Sequence, residues 1–400
     1  TFYFGYKGDE LTNWSQNFMI VSGIRYIKDT TIYTYATDAG GNDTDVVDYT
    51  TTYKGGAFNN RSGTSVIKNI LYYSGKVRGE ELTDYSYGFS GDNSRPSTTT
   101  IYYYGTGIRA DSQLAKGASS AAMTASEVYY GDKSTYTYAT SLSLNTDIKS
   151  GTYYFGYKGD ELTDWSQNFA IVKTTVGATE TYGAMVKDTT FYAYWRGGDV
   201  LFSTAVYKGG TLNIRTPPSL TKSVTWYWGY LRGEELADYM CEYAGDNTTA
   251  VSTTYYFYGT DSSVHLRAKS AASLGPTSMA MTASAVYNKW AGEAIQYGDY
   301  AQGIATNIRS KTHYFGYKGD ELADYSQSFM ILGAESAAMT VKDTTVYAYI
   351  NGDILSSASV YKAGSPDTKD TNHIMKSYTR YQGSIRGDER VDYVKSYSGN

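Results

Sequence analysis

A single cysteine, Cys241, stands among 400 residues, so no disulfide can form within the chain. Proline is nearly as scarce, with five residues, and three histidines (His265, His313 and His373) leave few metal-ligating or general-base candidates. No apolar run approaches the roughly 18 residues that a membrane-spanning helix needs. The 35 basic and 40 acidic residues leave a net charge of −5. That balance lacks the basic stripe a nucleic-acid binder carries. Leu, Ile, Val and Phe together make up about 17% of the chain, under the roughly 20% at which disorder becomes an option. Disorder also requires high net charge and few aromatics, and neither condition holds.

What the chain has instead is tyrosine, 45 residues of it, and 41 glycines. Aromatic rings must therefore supply the buried surface that aliphatics do not. A buried Tyr ring packs like Phe but needs a partner for its hydroxyl. Tyr and the abundant Thr both favour strands, and Gly punctuates them with turns. Strands separated by Gly turns are expected throughout.

The chain is repetitive, which overrides domain counting by length. Thr1–Ile20 contains Tyr3-Phe4-Gly5-Tyr6-Lys7-Gly8-Asp9-Glu10-Leu11 and then Trp14-Ser15-Gln16-Asn17-Phe18. Thr152–Ile171 and Thr312–Ile331 repeat it, with Tyr325 in place of Trp14 and Trp165. Between them, Gly75–Leu82, Gly229–Leu236 and Gly383–Arg390 form a second type with one more residue between their two glycines. The extra residue lengthens the turn or adds a bulge, so the two tips should differ in geometry. Lys28–Tyr35, Lys187–Tyr194 and Lys342–Tyr349 also match. Each leads through a turn to a second strand: Asn351-Gly352 in the last copy, and a swollen Asp38–Asp48 loop in the first. A further pair is Ile101–Gly105 and Tyr255–Gly259. The organisation is two units, 1–151 and 152–311, and a partial one, 312–400. Neither end resembles the polar cap of a stacked array, so the array is expected to continue beyond both.

The pattern basic–Gly–acidic–Glu occurs six times: Lys7–Glu10, Arg78–Glu81, Lys158–Glu161, Arg232–Glu235, Lys318–Glu321 and Arg386–Glu389. Asp or Asn follows three residues after each Glu. Paired carboxylates suit glycosidase-type acid–base work. A catalytic pair is needed once per site, however, whereas a device found in every copy reads as a hairpin tip with Gly at positive φ. Charge ladders between neighbouring tips are the secondary reading. Asp38, Asn42, Asp43, Asp45 and Asp48 offer oxygen ligands suited to calcium but lack EF-hand spacing, and an acidic hairpin loop is the plainer reading. Cys241 stands where the sister copies carry Tyr87 and Lys395, and His313 where they carry Phe2 and Tyr153, so neither reads as a nucleophile or ligand. Asn13, Asn42, Asn60 and Asn247 sit in Asn-x-Ser/Thr sequons, a weak signal in so Ser/Thr-rich a chain. No catalytic, cofactor-binding or metal-ligating residue is assigned.

The Tyr-x-Tyr strands Tyr33-Thr34-Tyr35, Tyr192-Ala193-Tyr194 and Tyr256-Phe257-Tyr258, with Gly turns after them, resemble the YD (RHS-type) repeats. The resemblance implies a large bacterial secreted or surface protein whose hairpins coil into a β-spiral or shell. The family's Asp after the second Tyr is here Ala36, Trp195, Ile350 or Gly259, and no functional residue carries over. The expected fold is all-β, with tandem hairpins forming a continuous coiled sheet as a spiral, solenoid or tube. The expected function is a non-enzymatic extracellular or cell-surface structural protein: a segment of a fibre, sheath or stalk, without cofactor. Its partners would be further copies of the same repeat. The alternative is an adhesin or carbohydrate binder on the same scaffold, betrayed by one non-repeating aromatic groove and taking glycans as partners. Rings at Trp14, Trp165 and Tyr325, and at Tyr85, Tyr239 and Tyr393, are expected to be buried or stacked on neighbouring hairpins.

Overall fold

The computed structural model describes all residues except 22–23, 63–65, 91–94, 116–120, 137–145, 177–178, 196–197, 246, 248, 262, 276–278, 290–306, 331–339, 384–385, 388 and 399–400. Among the described residues the chain is nearly all β, with 24 strands and two short helices. Every described ladder is antiparallel, and the strands belong to one sheet. By contacts the chain divides into two compact units. One comprises Thr1–Met19, Arg25–Phe191 and Tyr207–Pro218, the other Ile20–Ile24, Tyr192–Val206 and Ser219–Asn400.

All six basic–Gly–acidic–Glu segments are hairpin tips. They join Phe2–Phe4 to Leu11–Val21, Ile67–Ser74 to Leu82–Phe89, and Ile148–Phe155 to Leu162–Val176. The others join Thr221–Trp228 to Leu236–Tyr243, Ile308–Phe315 to Leu322–Met330, and Met375–Gln382 to Arg390–Ser396. The extra residue of the second type lengthens the turn, and the two geometries differ as expected. In the shorter tips the first glycine needs positive φ: 106° at Gly5, 118° at Gly156 and 114° at Gly316. In the longer ones a Cβ on Gly75, Gly229 or Gly383 would lie 3.0, 2.8 or 2.9 Å from the Cα of the tip Glu, so close approach rather than φ demands glycine.

A bulge is present too, in both types. The register skips Asn13, Asp84, Asp164, Asp238, Asp324 and Asp392 in turn. The Asp or Asn three residues after each Glu is therefore the extra residue of a β-bulge, a device that bends the strand and re-aims a side chain.

The residue after each bulge is the ring expected to be buried. Trp14, Trp165, Tyr239 and Tyr325 are buried and Tyr85 is half-buried. Their partners differ from expectation, because each ring stacks on the residue directly across its own hairpin rather than on another copy. Phe2 lies 3.8 Å from Trp14, Tyr153 3.9 Å from Trp165 and His313 4.3 Å from Tyr325. Tyr72 lies 4.5 Å from Tyr85, and Trp226 4.6 Å from Tyr239. Directly opposite residues of an antiparallel pair lie at a distance that suits ring stacking, which is why the hairpin itself captures the ring. In the sixth hairpin Arg380 replaces that ring, and Tyr393 is 36% exposed.

In the first unit the core lies on Pro96–Tyr104, Met123–Tyr130 and Ile148–Phe155, through Ile101, Tyr103, Ala125, Tyr129 and Ile148. In the second it lies on Ala250–Gly259, Ala280–Asn288 and Ile308–Phe315, through Tyr255, Phe257, Ala283, Tyr287 and Ile308. The repeated aromatic strands thus run through the deepest parts of both units. Two features were not foreseen. Helices α1 (Ala110–Ala115) and α2 (Ala268–Leu274) cover the Leu82/Tyr104 and Leu236/Tyr258 clusters. They are too short to carry a helical period in sequence. The Asp38–Asp48 loop is only Asp38–Asn42, because Asp43–Lys54 is strand, with a bulge opposite Tyr35 absorbing the extra residues. Asn351 and Gly352 both have positive φ, in a loop that runs from Ile350 to Ile354.

Replacing Trp165 with Ala should cost about 3–5 kcal/mol in urea unfolding. Tyr393→Ala, at the exposed position without the ring partner, should cost less than about 1 kcal/mol. Equal losses at the two sites would show that the cross-strand ring is not what makes the position matter.

Candidate functional site

The strongest sequence candidate for chemistry was the tip carboxylate pair, and the structure gives its two members different roles. The second glycine, Gly8, Gly79, Gly159, Gly233, Gly319 or Gly387, has φ between 80° and 97° with open space around it. Its N–H donates to the tip Glu: at 2.9 Å to Glu10, 2.7 Å to Glu81 and 2.9 Å to Glu161. The same bond is 2.8 Å to Glu235, 2.9 Å to Glu321 and 2.7 Å to Glu389. In five tips the other carboxylate oxygen accepts a backbone N–H from the strand that precedes the hairpin. The donors are Val47 to Glu81 (3.0 Å), Met123 to Glu161 (2.9 Å), Leu201 to Glu235 (2.8 Å), Met281 to Glu321 (3.0 Å) and Leu355 to Glu389 (3.0 Å). Each Glu thus clips its own turn to a neighbouring strand. The sequence signal was visible: the last residue of the motif is Glu in all six copies, whereas the acid before it is Asp in four and Glu in two.

The basic residue forms part of a ladder between tips. Arg78 donates to the Glu10 carbonyl at 2.7 Å and Arg386 to the Glu321 carbonyl at 2.9 Å.

At the bulge, the side chain of the extra residue meets a cation. Asp238 and Arg267 form a buried two-pronged pair at 2.8 and 2.6 Å, and Asp84 pairs with Arg109 in the same manner. Asp164 takes Arg215 at 2.6 and 2.7 Å, and Asp324 takes Lys369. The carbonyl just before the bulge, where the ladder is interrupted, accepts a tyrosine hydroxyl. Tyr35 donates to Thr12, Tyr104 to Thr83 and Tyr258 to Ala237 at 2.8 Å, and Tyr349 to Ala323 at 2.9 Å. These are the closing tyrosines of the repeated Tyr-rich strands. Burial pushes their hydroxyls up, to about 12 at Tyr349.

A third device pins the long loops. Buried Gln16, Gln167 and Gln327 each donate to a Thr hydroxyl (Thr30, Thr189, Thr344) and to a loop carbonyl (Ala57, Thr211, Ser365) at 2.9 Å. Each also accepts a backbone N–H, from Asn59, Asn213 or Asp367 at positive φ. In sequence the only sign of this role is that the Gln recurs in all three copies of the repeat.

The remaining candidates are placed plainly. Asp38 Oδ1 accepts the N–H groups of Gly40 and Asn42 at 2.8 and 2.9 Å, a loop-closing turn. Cys241 is buried against Thr253, and burial pushes its thiol up. Asn247 is turned inward, accepting the Thr221 N–H at 2.7 Å. His373 is paired with Asp370 at 2.9 Å. Among the described residues no group of three His, Cys, Asp or Glu could hold a metal ion, and no helix is long and apolar enough to cross a membrane.

One titratable cluster has no counterpart in the other copies. Lys311, fully buried, reaches Asp367 at 3.0 Å, and His313 approaches the same carboxylate at 3.3 Å. His265 packs edge-on to His313 at 5.9 Å and bonds Thr282 at 2.9 Å. Sister positions hold Gly151, Asn213, Tyr153 and Gly107. Burial pushes Lys311 down to about 8, and burial with its cationic neighbours pushes His265 down to about 4. Burial opposes the charge of Asp367, but His313 and Lys311 hold its carboxyl low.

No protein-family model and no curated protein matches the chain. Among solved structures, one titled "Crystal Structure of TcdB2-TccC3" shares 9% identity at a TM-score of 0.24, covering 90% of this chain and 16% of its own. A TcdB2-TccC3-Cdc42 structure shares 12% at 0.26, covering 95% and 20%. A Photorhabdus luminescens Tc holotoxin pore shares 10% at 0.16, covering 90% and 20%. The chain spans a fifth or less of the length of these three, and likeness at this level carries no argument.

Two measurements check the site. Glu321→Gln places an amide where two N–H groups donate, so a loss of about 1–3 kcal/mol is expected in chemical unfolding; no loss would dismiss the clip. For pH, the unfolded chain holds more protons than the fold at His265 between pH 4 and 6.5, so stability should fall as pH drops through that window. At Lys311 the same sign applies between about 8 and 10.5, so its contribution grows as pH rises. Unfolding curves of His265→Gln and Lys311→Met should be flatter than those of the unaltered protein in these respective windows.

Proposed function

We propose that the chain is a segment of an extracellular or cell-surface structural array, a fibre, sheath or stalk, whose partners are further copies of the same repeat. The observation that carries this reading is the use made of the tip. Both glycines and the Glu of each copy serve backbone geometry or turn closure, and the bulge residues Asp84, Asp164, Asp238 and Asp324 each serve a paired charge. A carboxylate whose two oxygens already accept backbone N–H groups is poorly placed as an acid or base, because both oxygens are engaged in holding the turn and the neighbouring strand. The bulge carboxylates Asp84, Asp164 and Asp238 are likewise engaged, each held by an Arg in bidentate fashion, and Asp324 is paired with Lys369.

Recurrence supports the reading independently. Ring stack, bulge, hydroxyl and Glu clip recur at a fixed spacing, and small gains per copy sum along a repeat array. The YD-repeat resemblance points to the same kind of surface-exposed β scaffold. Enzymatic activity is not part of the proposal, since a catalytic site is needed once and this device is present in every copy.

Low-magnification electron microscopy of the native material is the direct test. Long, regular strands or sheaths are expected; particles that stay dispersed at every concentration would refute the array. Incubation of purified protein with glycans and peptides should give no turnover. Turnover abolished by Glu321→Gln alone would overturn the non-enzymatic reading.

A further inference from the structure

Three positions around one hairpin break the repeat together. In the second copy they are Trp195, Phe202 and Trp228. The first copy carries Ala36, Asp48 and Ser74 there, and the third Ile350, Ser356 and Gln382. Beside them Trp226 enlarges the ring that Tyr72 supplies in the first copy, so three of the six tryptophans of the chain are gathered in one place. Nothing in the scaffold demands Trp195, Phe202 or Trp228, since the sister hairpins form the same turn, bulge and clip without them.

In the structure Phe202, Trp226 and Trp228 line a cleft of about 420 Å³ within the second unit. Its floor is the buried Asp238–Arg267 pair, with Trp226 stacked on Tyr239 beside it. Its wall is Phe202 and Trp228, with Trp195 4.6 Å from Phe202 and 6.3 Å from Trp228. At the lip, Lys269 of α2 places its ammonium 5.2 Å over the Trp228 ring. Trp195 is 44% exposed and Phe202 36%. Large rings held open to water beside fixed polar groups mark a recognition surface rather than a core.

The sister positions in the first unit provide the contrast. The floor pair is the same there, Asp84 with Arg109. Asp48 and Ser74 stand where the wall has Phe202 and Trp228, and Asp111 stands where the lip has Lys269. The floor pair is shared, whereas wall and lip charge are not. The differences all move in one direction, toward ring faces and positive charge.

We propose that the Trp195–Phe202–Trp228 cleft binds an acidic saccharide. A pyranose ring presents C–H groups on its face and hydroxyls round its rim, which matches an aromatic wall above a polar floor. Ring faces carry negative quadrupole charge and attract such polarised hydrogens. The Lys269 ammonium meets the carboxylate of a uronic acid, and the substitution of Asp111 by Lys269 changes repulsion into attraction. An apolar peptide would cover the Lys269 ammonium without offering it an opposite charge, which disfavours it. The cleft reading stands on its own geometry and not on the array proposal.

Isothermal titration of the full chain with uronic-acid oligosaccharides and with neutral gluco-oligosaccharides tests it. The acidic series should bind, and at least tenfold more tightly than the neutral one. Trp228→Ser and Trp195→Ala install the sister residues, which the scaffold is known to hold, and each should weaken binding at least tenfold with the melting transition preserved. Lys269→Gln, at an exposed position, should remove the preference for acidic over neutral oligomers. Four outcomes overturn the proposal: no binding of the acidic series at millimolar concentration, binding indifferent to Trp228→Ser, equal affinity for both series, or tighter binding of an acidic peptide through the same tryptophans.

Discussion

The constraint on which the rest of the fold depends is the bulge after each tip. A bulge interrupts the ladder, and an interrupted ladder leaves backbone groups that must find partners or be desolvated at a cost of about 1–3 kcal/mol each. Around it the hairpin arranges its conspicuous residues. The extra Asp is directed to an Arg or Lys, the carbonyl before it receives a tyrosine hydroxyl, and the ring after it is stacked across the strand. Remove the bulge and the Asp would fall into alternation with its neighbours and face the wrong side of the sheet. The abundance of tyrosine follows from this. Only a residue with a large apolar ring and a terminal hydroxyl can fill a thin sheet while reaching an interrupted carbonyl.

The tip is the second half of the same solution. Strands in a hairpin array present N–H groups at their ends as well as along their edges, and unpaired edges invite aggregation. The Glu closes its own turn with one oxygen and holds the start of a preceding strand with the other. One residue thereby fixes the local turn and the neighbour's position at once. That explains why the acid must be Glu, with its longer reach, while the residue before it tolerates Asp or Glu.

Much of this architecture was legible in the sequence because it is written in recurrence. Six tips, both tip geometries and the burial of the post-tip rings follow from comparing copies at Gly5 and Gly75, or at Trp165 and Tyr325. The partners were not legible. Nothing in Tyr153 or Phe2 says that the ring lies across from Trp165 or Trp14, since cross-strand register depends on where the bulge falls, and an Asp in a loop and an Asp in a bulge read alike. The short helices were invisible for a related reason: six or seven Ala-rich residues contain less than two turns and no period. The Asp38–Asp48 stretch was misjudged because its acids suggested a loop, whereas the alternation of Thr44 and Val46 within Asp43–Lys54 is that of a strand.

Recurrence also shows where the scaffold is free to vary. The clip, the bulge and the Gln clamp tolerate little, yet the residues flanking them change without disturbing the hairpin. His313 takes over the ring stack of Tyr153 and at the same time joins Lys311 and Asp367. Rings at Trp195, Phe202 and Trp228 gather only at the second copy, above a floor pair that the first copy shares. Both departures lie beside repeated devices, where geometry is already fixed by other residues. A site built there inherits rigid support without having to supply it, since the supporting contacts are made whether or not the site exists. An array whose cohesion is distributed over many identical parts can thus give up identity at a few positions, and those positions are where recognition has room to arise.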